Sequence, residues 1–296
     1  MSPSFSNMPE VLAYEKGPLR ILVHPLGARL LSFQWFNGAS WVELLSQEES
    51  LDPSNNADYQ GVIIAPRAGR YLMGTARGGS EIQLHSGPKS SAHALFSLTL
   101  SSEGLRALWE GPDETVDVLY RLQGQSLLLE IALFAKRSML VNPTSHLYFS
   151  LDGAPCREHR LTFSPEKILK KGGHPLDDDG VLGTTLAPCP PEWVALFEGC
   201  NPLGDALLDD WFSLSEAGCT LSARGIELHV SSDATGAVIY TYDFPFDPKN
   251  KRKALALELQ DAPQIQGQWL DPELGRTTHR RWIRYHLQSI PEAPLT

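Results

Sequence analysis

Short runs in which apolar and polar residues alternate recur along the chain, and this period of two predicts β-strands. Clusters of Gly, Pro, Asn, Asp and Ser separate the runs, as is typical of turns. The 22 prolines and 24 glycines are spread through the chain and leave few stretches that suit a helix. The pattern predicts a mostly β protein with strands at residues 19–23, 29–35, 81–84, 94–100, 115–122, 126–134, 147–151, 227–230, 237–242 and 254–259.

One pair of runs predicts a β-hairpin. The segment VDVLYRLQ is followed by Gly124-Gln125 and then by SLLLEIALF, so a tight turn with a glycine joins two strand-like runs. Strands without helical crossovers between them favour two large antiparallel sheets packed face to face. No change of composition marks a linker. We therefore expect residues 1–296 to form one all-β sandwich domain.

Composition and charge narrow the range of partners. An apolar fraction of 42% and a charged fraction of 20% describe a globular chain with enough material for a core. The formal net charge is -10 and there is no long block of Lys and Arg, which opposes binding to nucleic acid or to an anionic membrane. No apolar run reaches the roughly 18 residues that a membrane-spanning helix needs. A neutral small molecule is the better expectation.

The cysteines and the first residues indicate the compartment. Cys156, Cys189, Cys200 and Cys219 form no C-x-x-C pair, and MSPSFSNMPE has neither the basic nor the apolar part of an export signal. We expect a cytoplasmic protein with free thiols. The spacing alone leaves a bridge between Cys189 and Cys200 open.

Two polar residues interrupt apolar strand patterns. His146 lies in NPTSHLYFSLDG (residues 142–153), and Glu258 lies in ALALELQDA (residues 254–262). A charged residue is rarely placed in an apolar strand without a partner or a function. We interpret the two as an acid/base pair. The alternatives are a buried ion pair with an arginine for Glu258 and a core hydrogen bond to a backbone carbonyl for His146.

These segments resemble those of the aldose 1-epimerases, also called galactose mutarotases. The family stretches N-x-x-x-H-x-Y-F-N-L-x-G and L-E-x-Q-x-x-P-x are matched here by Asn142, His146, Tyr148, Phe149, Leu151, Gly153, Glu258, Gln260 and Pro263. Further similarities lie at Gly27-Ala28 and at residues 61–74 (GVIIAPRAGRYLMG). The resemblance implies a twisted β-supersandwich and the interconversion of hexose anomers, without a cofactor and without a metal.

That reaction opens and closes the sugar ring, and it needs one proton removed from the C1 hydroxyl and one given to the ring oxygen. Both oxygens are bonded to the same carbon, so a base and an acid must converge on one small spot. We predict that Glu258 is the base and His146 the acid, with the roles reversed when the ring closes on the other face.

The resemblance also implies residues that bind the sugar. Arg70 matches the arginine of the family's N-R-I stretch, with Gly69 where asparagine is usual and with Arg67 as a second candidate. The first family histidine corresponds to His93 by its spacing, whereas His85 is the alternative.

An aspartate is the last expected contact with the sugar. Asp209 matches the family aspartate that accepts hydrogen bonds from sugar hydroxyls, with Asp210 as the alternative. The expected partner is a hexose such as glucose or galactose, bound by a monomer or a homodimer.

Other functions remain open to different degrees. A hexose-6-phosphate 1-epimerase would need a further cation in the cleft, for which Arg67 is available, and a non-catalytic carbohydrate-binding member of the fold is a second alternative. Glycoside hydrolysis by Glu258 and Asp209 leaves His146 without a task. The sequence contains no G-x-S-x-G, P-loop or dinucleotide fingerprint, and neither His146 nor His93 has further ligands nearby at the spacing of a zinc site.

Overall fold

The computed structural model describes residues 10–46, 59–74, 80–170, 186–241, 253–263 and 268–289. Strands dominate, and the α-helix α1 covers Pro191–Glu198. The strands are, in chain order, β1 Leu12–Lys16, β2 Leu19–His24, β3 Arg29–Phe36, β4 Trp41–Glu43, β5 Ile63–Ile64, β6 Arg70–Gly74, β7 Ser80–Leu84, β8 Ser97–Leu100, β9 Leu105–Glu110, β10 Glu114–Gln123, β11 Ser126–Ala135, β12 Met139–Val141, β13 Thr144–Ser145, β14 Leu147–Phe149, β15 Arg160–Thr162, β16 Lys167–Leu169, β17 Ala187–Pro188, β18 Asp209–Ser213, β19 Cys219–Ala223, β20 Ile226–Ser232, β21 Gly236–Tyr240, β22 Leu255–Leu259, β23 Gln268–Leu270 and β24 Thr278–Ser289.

Two large antiparallel sheets make up most of this architecture. One has eight strands in the order β15-β19-β20-β24-β11-β10-β9-β8, and the other has six in the order β14-β22-β21-β18-β16-β17. A four-stranded sheet, β1-β2-β3-β4, and the strand pairs β12-β23, β13-β5 and β6-β7 complete the described part.

The core lies between the two large sheets. Tyr120 and Tyr285 point inward from the eight-stranded sheet, and Phe149 and Leu257 point inward from the six-stranded sheet into the same apolar cluster. The rings of Phe149 and Tyr285 lie 5.7 Å apart, centre to centre. Each large apolar side chain removed from water in this way stabilises the fold by about 1.5–3 kcal/mol, so the sheets pack as a sandwich.

Most of the strands predicted from the alternation are present, with ends displaced by a few residues. The predicted hairpin is β10 with β11, where Gln123 pairs with Ser126 across the turn at Gly124-Gln125. The run 94–100 is shorter than predicted, because a 3-10 turn occupies Ser91–His93 and the strand begins at Ser97. Fourteen of the 24 strands in the described part of the chain were not predicted, most of them short, but also β9, β18, β19 and the twelve-residue β24.

Two further expectations concern thiols and membranes. All four cysteines are free thiols, so the bridge between Cys189 and Cys200 is not formed. Within the described part of the chain, no helix combines the length and the apolar composition needed to cross a bilayer.

Candidate active site

Alternation along β22 determines where Glu258 lies. Leu255, Leu257 and Leu259 enter the main core, so Ala256 and Glu258 face the opposite side of the six-stranded sheet. This side carries the candidate site. The apolar neighbours of Glu258 in the sequence therefore lie on two faces of the sheet, with the leucines facing the core and Ala256 facing the candidate site.

His146 reaches the same side from the short link between β13 and β14. Its backbone N–H donates to Val62 O at 2.9 Å and its carbonyl accepts from Gly61 N at 2.8 Å. Its Nε2 atom lies 3.3 Å from Oε1 of Glu258, and both side chains are buried. Since an ionised carboxylate only accepts hydrogen bonds, His146 Nε2 is the donor in this pair.

The second oxygen of Glu258 has a different partner. Its Oε2 atom accepts a hydrogen bond from Nε2 of Gln260 at 3.1 Å. The carboxylate is thus held on both sides, with Oε1 towards the histidine and Oε2 towards the amide.

His85 completes a cluster with this pair. One ligand-type atom from each of His85, His146 and Glu258 lies within 4.8 Å of the others. The backbone N–H of Gly69 donates to His85 Nδ1 at 3.1 Å, while His85 N donates to Gly69 O at 2.9 Å. Because Nδ1 accepts, the neutral imidazole carries its proton on Nε2 and acts there as a hydrogen-bond donor.

His93, the histidine favoured by sequence spacing, is exposed and lies outside this cluster. Its ring contacts Tyr59 at 5.8 Å between centroids. The structure therefore brings His85, the alternative, to Glu258 and His146. The distinction depends on the paired backbone of Gly69 and His85, which no spacing along the chain reveals.

Two tyrosine rings enclose the imidazole of His146. Tyr148 stacks on it with a centroid distance of 5.1 Å and an interplanar angle of 22°. Tyr59 lies at 6.3 Å and 26°, and also contacts His85 at 4.7 Å. Burial raises the pKa of the Tyr59 phenol, which stays protonated at neutral pH. Sequence reasoning missed Tyr59, because no motif or strand pattern includes it.

Arg70 and Asp209 lie together on the same side of the sheet. Nη1 of Arg70 is 3.9 Å from Oδ1 of Asp209. Burial lowers the pKa of Arg70, whereas the charge of Glu258 and the neighbouring Tyr240 oppose this shift. An arginine retains its charge under such conditions.

The register of β18 separates the two candidate aspartates. Asp209 pairs with Tyr240, whereas Asp210 pairs with Ile239, whose side chain belongs to the core. Adjacent residues of a strand point to opposite faces, so Asp209 and not Asp210 shares the face of Arg70.

Arg67 packs over the ring of Tyr71, with its guanidinium carbon 4.5 Å from the ring centroid. Burial lowers its pKa, and the Tyr71 phenol opposes that shift. Stacking on an aromatic face is a common environment for arginine. This contact gives Arg67 a packing role beside any role towards a ligand.

Gly69 stands where the family usually has asparagine, and its backbone conformation in this chain is one that favours glycine. Its φ is +88°, and an added Cβ would lie 2.6 Å from Pro263 Cγ and 3.3 Å from Gln260 Oε1. Both the backbone conformation and the neighbouring ring exclude a larger residue.

The spacing of His85, His146 and Glu258 also resembles that of a metal site. A metal would need the lone pair of the histidine nitrogen that faces it. The Gly69 N–H occupies the Nδ1 lone pair of His85 and leaves a proton on Nε2, so binding a metal would require breaking this hydrogen bond. The arrangement suits proton transfer better than metal coordination.

Solved structures show the same architecture. A GalM/aldose epimerase homologue from C. elegans superposes with a TM-score of 0.80 at 17% identity, covering 95% of this chain and 99% of the other. A galactose 1-epimerase from Lactobacillus acidophilus NCFM gives a TM-score of 0.75 at 18% identity, covering 95% of this chain and 98% of the other. The protein thus has the galactose mutarotase-like, all-β sandwich fold that the sequence predicts.

The sequence agrees with the fold. The family model described as Aldose 1-epimerase matches residues 11–268. The chain belongs to the aldose 1-epimerase family, as the resemblance indicates. A search of curated proteins found no match.

Proposed function

We propose that the protein is an aldose 1-epimerase that interconverts the α and β anomers of a hexose by acid/base ring opening and closure. One observation carries the proposal: Oε1 of Glu258 and Nε2 of His146 lie 3.3 Å apart. This distance lets a proton acceptor and a proton donor converge on the two oxygens bonded to C1. Membership of the aldose 1-epimerase family supports an isomerase.

The proposed reaction begins when Glu258 Oε1 takes the proton of the C1 hydroxyl. The electron pair of that O–H bond forms the carbonyl, the bond between C1 and the ring oxygen breaks, and His146 in its imidazolium form gives a proton to the ring oxygen. Rotation about the C1–C2 bond presents the other face of the aldehyde. On ring closure His146 takes back the proton from the hydroxyl that the ring oxygen had become, this oxygen re-forms its bond to C1, and Glu258 gives its proton to the carbonyl oxygen, which becomes the C1 hydroxyl of the other anomer.

Three further residues serve binding and charge stabilisation in this proposal. His85 presents an Nε2–H fixed by Gly69, and Arg70 presents a planar set of N–H donors, so both can donate to an oxygen that becomes electron-rich. Asp209 accepts hydrogen bonds from sugar hydroxyls. None of these steps requires a cofactor.

A polarimetric assay tests the proposal. Freshly dissolved α-D-glucose and α-D-galactose should relax to the anomeric equilibrium faster with the protein than without it. Acceleration that is confined to glucose 6-phosphate would instead identify a hexose-6-phosphate 1-epimerase. Saturable sugar binding without any acceleration would contradict the proposal and favour the carbohydrate-binding alternative.

The two histidine candidates lead to a second prediction. We expect His85→Gln to reduce kcat/KM by roughly 10²-fold, as loss of a preorganised donor does, and to reduce it more than His93→Gln. The reason is that His85 lies in the cluster with Glu258, whereas His93 is exposed. Parallel polarimetric measurements of both variants decide between them. A larger loss in His93→Gln would restore the assignment made from sequence spacing.

A further inference from the structure

Gln260 is buried completely and contacts the proposed base directly. It follows Glu258 by two residues, and its Nε2 atom donates to Glu258 Oε2 at 3.1 Å. An ionised carboxylate accepts hydrogen bonds but cannot donate them. The amide is therefore oriented with its NH₂ group towards Glu258 and its oxygen towards Gly69.

The backbone of Gln260 is fixed from two sides. Its N–H donates to Gly236 O at 3.0 Å, and its carbonyl accepts from Trp211 Nε1 at 2.9 Å. These contacts continue the six-stranded sheet beyond the last residue of β22. The position of the amide relative to Glu258 is consequently set by the sheet and not by an exposed loop.

The side chain of Gln260 is fixed as well. Its Oε1 atom lies 3.3 Å from the point where a Cβ of residue 69 would be, and Pro263 lies closer still to that point. Glycine at position 69 therefore makes room for the amide. Among the described residues, no group hydrogen-bonds Gln260 Oε1, so the orientation is determined by the bond to Glu258.

We infer that Gln260 is a positioning residue that holds the Oε2 atom of Glu258 and so directs the Oε1 atom towards His146; this inference rests on the proposed function. A hydrogen bond donated to a carboxylate favours the ionised form, which is the form that accepts a proton. With Oε2 held by Gln260, Oε1 is the oxygen left for the reaction. Since Gln260 is fully buried, it does this without touching the sugar.

The variant Gln260→Leu tests the inference, because leucine has a similar size but no donor. We expect the acidic limb of the kcat/KM profile to move up by about one pH unit, because the carboxylate loses a hydrogen-bond donor. We also expect kcat at neutral pH to fall about tenfold, because Oε1 is no longer held towards His146. KM should change less than twofold, since the residue does not contact the sugar. The matched control is Leu259→Val, which alters the neighbouring core residue and should leave the pH profile in place.

A spectroscopic readout separates this inference from the proposed function. Subtracting the infrared spectrum of the Glu258→Gln variant from that of the parent protein isolates the carboxyl band of Glu258. The pH titration of this band is measured without turnover. In Gln260→Leu this titration should occur about one pH unit higher than in the wild type. An unchanged titration, or an equal shift in Leu259→Val, would overturn the role of Gln260. Absence of mutarotation by the wild type would refute the proposed function while the infrared result still decides on Gln260.

Discussion

Glu258→Gln is expected to lose roughly 10² or more in kcat/KM for mutarotation, because an amide keeps the shape of the side chain but does not accept a proton at neutral pH. The loss should appear mainly in kcat, since glutamine still offers a hydrogen-bonding group to His146. Polarimetry with a fresh α-anomer measures it. A variant that retains the rate within a few-fold would show that Glu258 is not the base.

Glu43→Gln is the matched control for this prediction. Glu43 is a partly buried carboxylate, and it accepts hydrogen bonds from the backbone of Phe33 and Leu45 at 3.0 and 3.1 Å. Burial raises its pKa, although these bonds and that from Ser32 oppose the shift. We expect Glu43→Gln to alter stability and to leave the mutarotation rate of the folded protein unchanged. Comparing the two variants separates loss of the base from loss of a hydrogen-bonded carboxylate elsewhere in the fold.

The largest effect on stability is expected from Arg281→Met. Arg281 is 2% exposed, and its Nη2 atom donates to Asp261 Oδ2 at 2.8 Å while Nη1 lies 3.5 Å from Asp233 Oδ1. Removing the cation leaves the carboxylate of Asp261 partly buried without its partner, which costs about 3–5 kcal/mol in such pairs. Urea unfolding of wild type and variant at pH 7 measures the difference. A change below about 1 kcal/mol would show that the pair is no stronger than a surface ion pair.

The ion pair of Asp261 with Arg281 also predicts how the stability of the fold depends on pH. Burial alone would raise the pKa of Asp261, but Arg281 and the hydrogen bonds from Thr235 hold this pKa below its usual value of 3.8. The stabilisation is therefore complete above the unfolded-state pKa of about 3.9 and is lost as the pH falls through the lower folded-state value. The variant Asp261→Asn should be less stable than the wild type at pH 7, and the gap should narrow below about pH 4. Unfolding curves across this range test the sign.

Hydrogen bonds between Asp261 and Asn142 join the two segments that carry Glu258 and His146. The side chain of Asn142 accepts from Asp261 N and donates to Asp261 O, each at 2.9 Å. Asn142 thus joins the chain just after Glu258 to the chain just before His146. The sequence indicated that both segments matter, but the reason for the asparagine is a contact between distant parts of the chain.

The fold was predictable where the alternation was regular. Strand β10 alternates between buried and partly exposed positions over ten residues, and it was found almost to its ends. Strand β24 was missed because its charged residue Arg281 is buried and its aromatic residue Trp282 is exposed, which reverses the expected apolar and polar positions. Arg281 is buried against Asp261, and this tertiary contact leaves no periodic signal in the sequence.

The site was predictable in part for a related reason. Glu258 and His146 stand out because a polar residue in an apolar strand needs an explanation. His85 rather than His93 reaches the cluster because the backbone of His85 is left-handed, with a φ of 50°, and hydrogen-bonds to Gly69. Backbone pairing of this kind is a tertiary contact, and it leaves no periodic signal in the sequence.

The order of the eight-stranded sheet has a consequence for biosynthesis. Strand β24, at Thr278–Ser289, lies between β20 and β11, so β11 at Ser126–Ala135 is translated long before its neighbour exists. During that interval the nascent hairpin presents an open edge, the element most prone to pairing with another polypeptide. Completion of this sheet therefore waits for β24, and the edge of β11 stays unpaired until that strand has been synthesised.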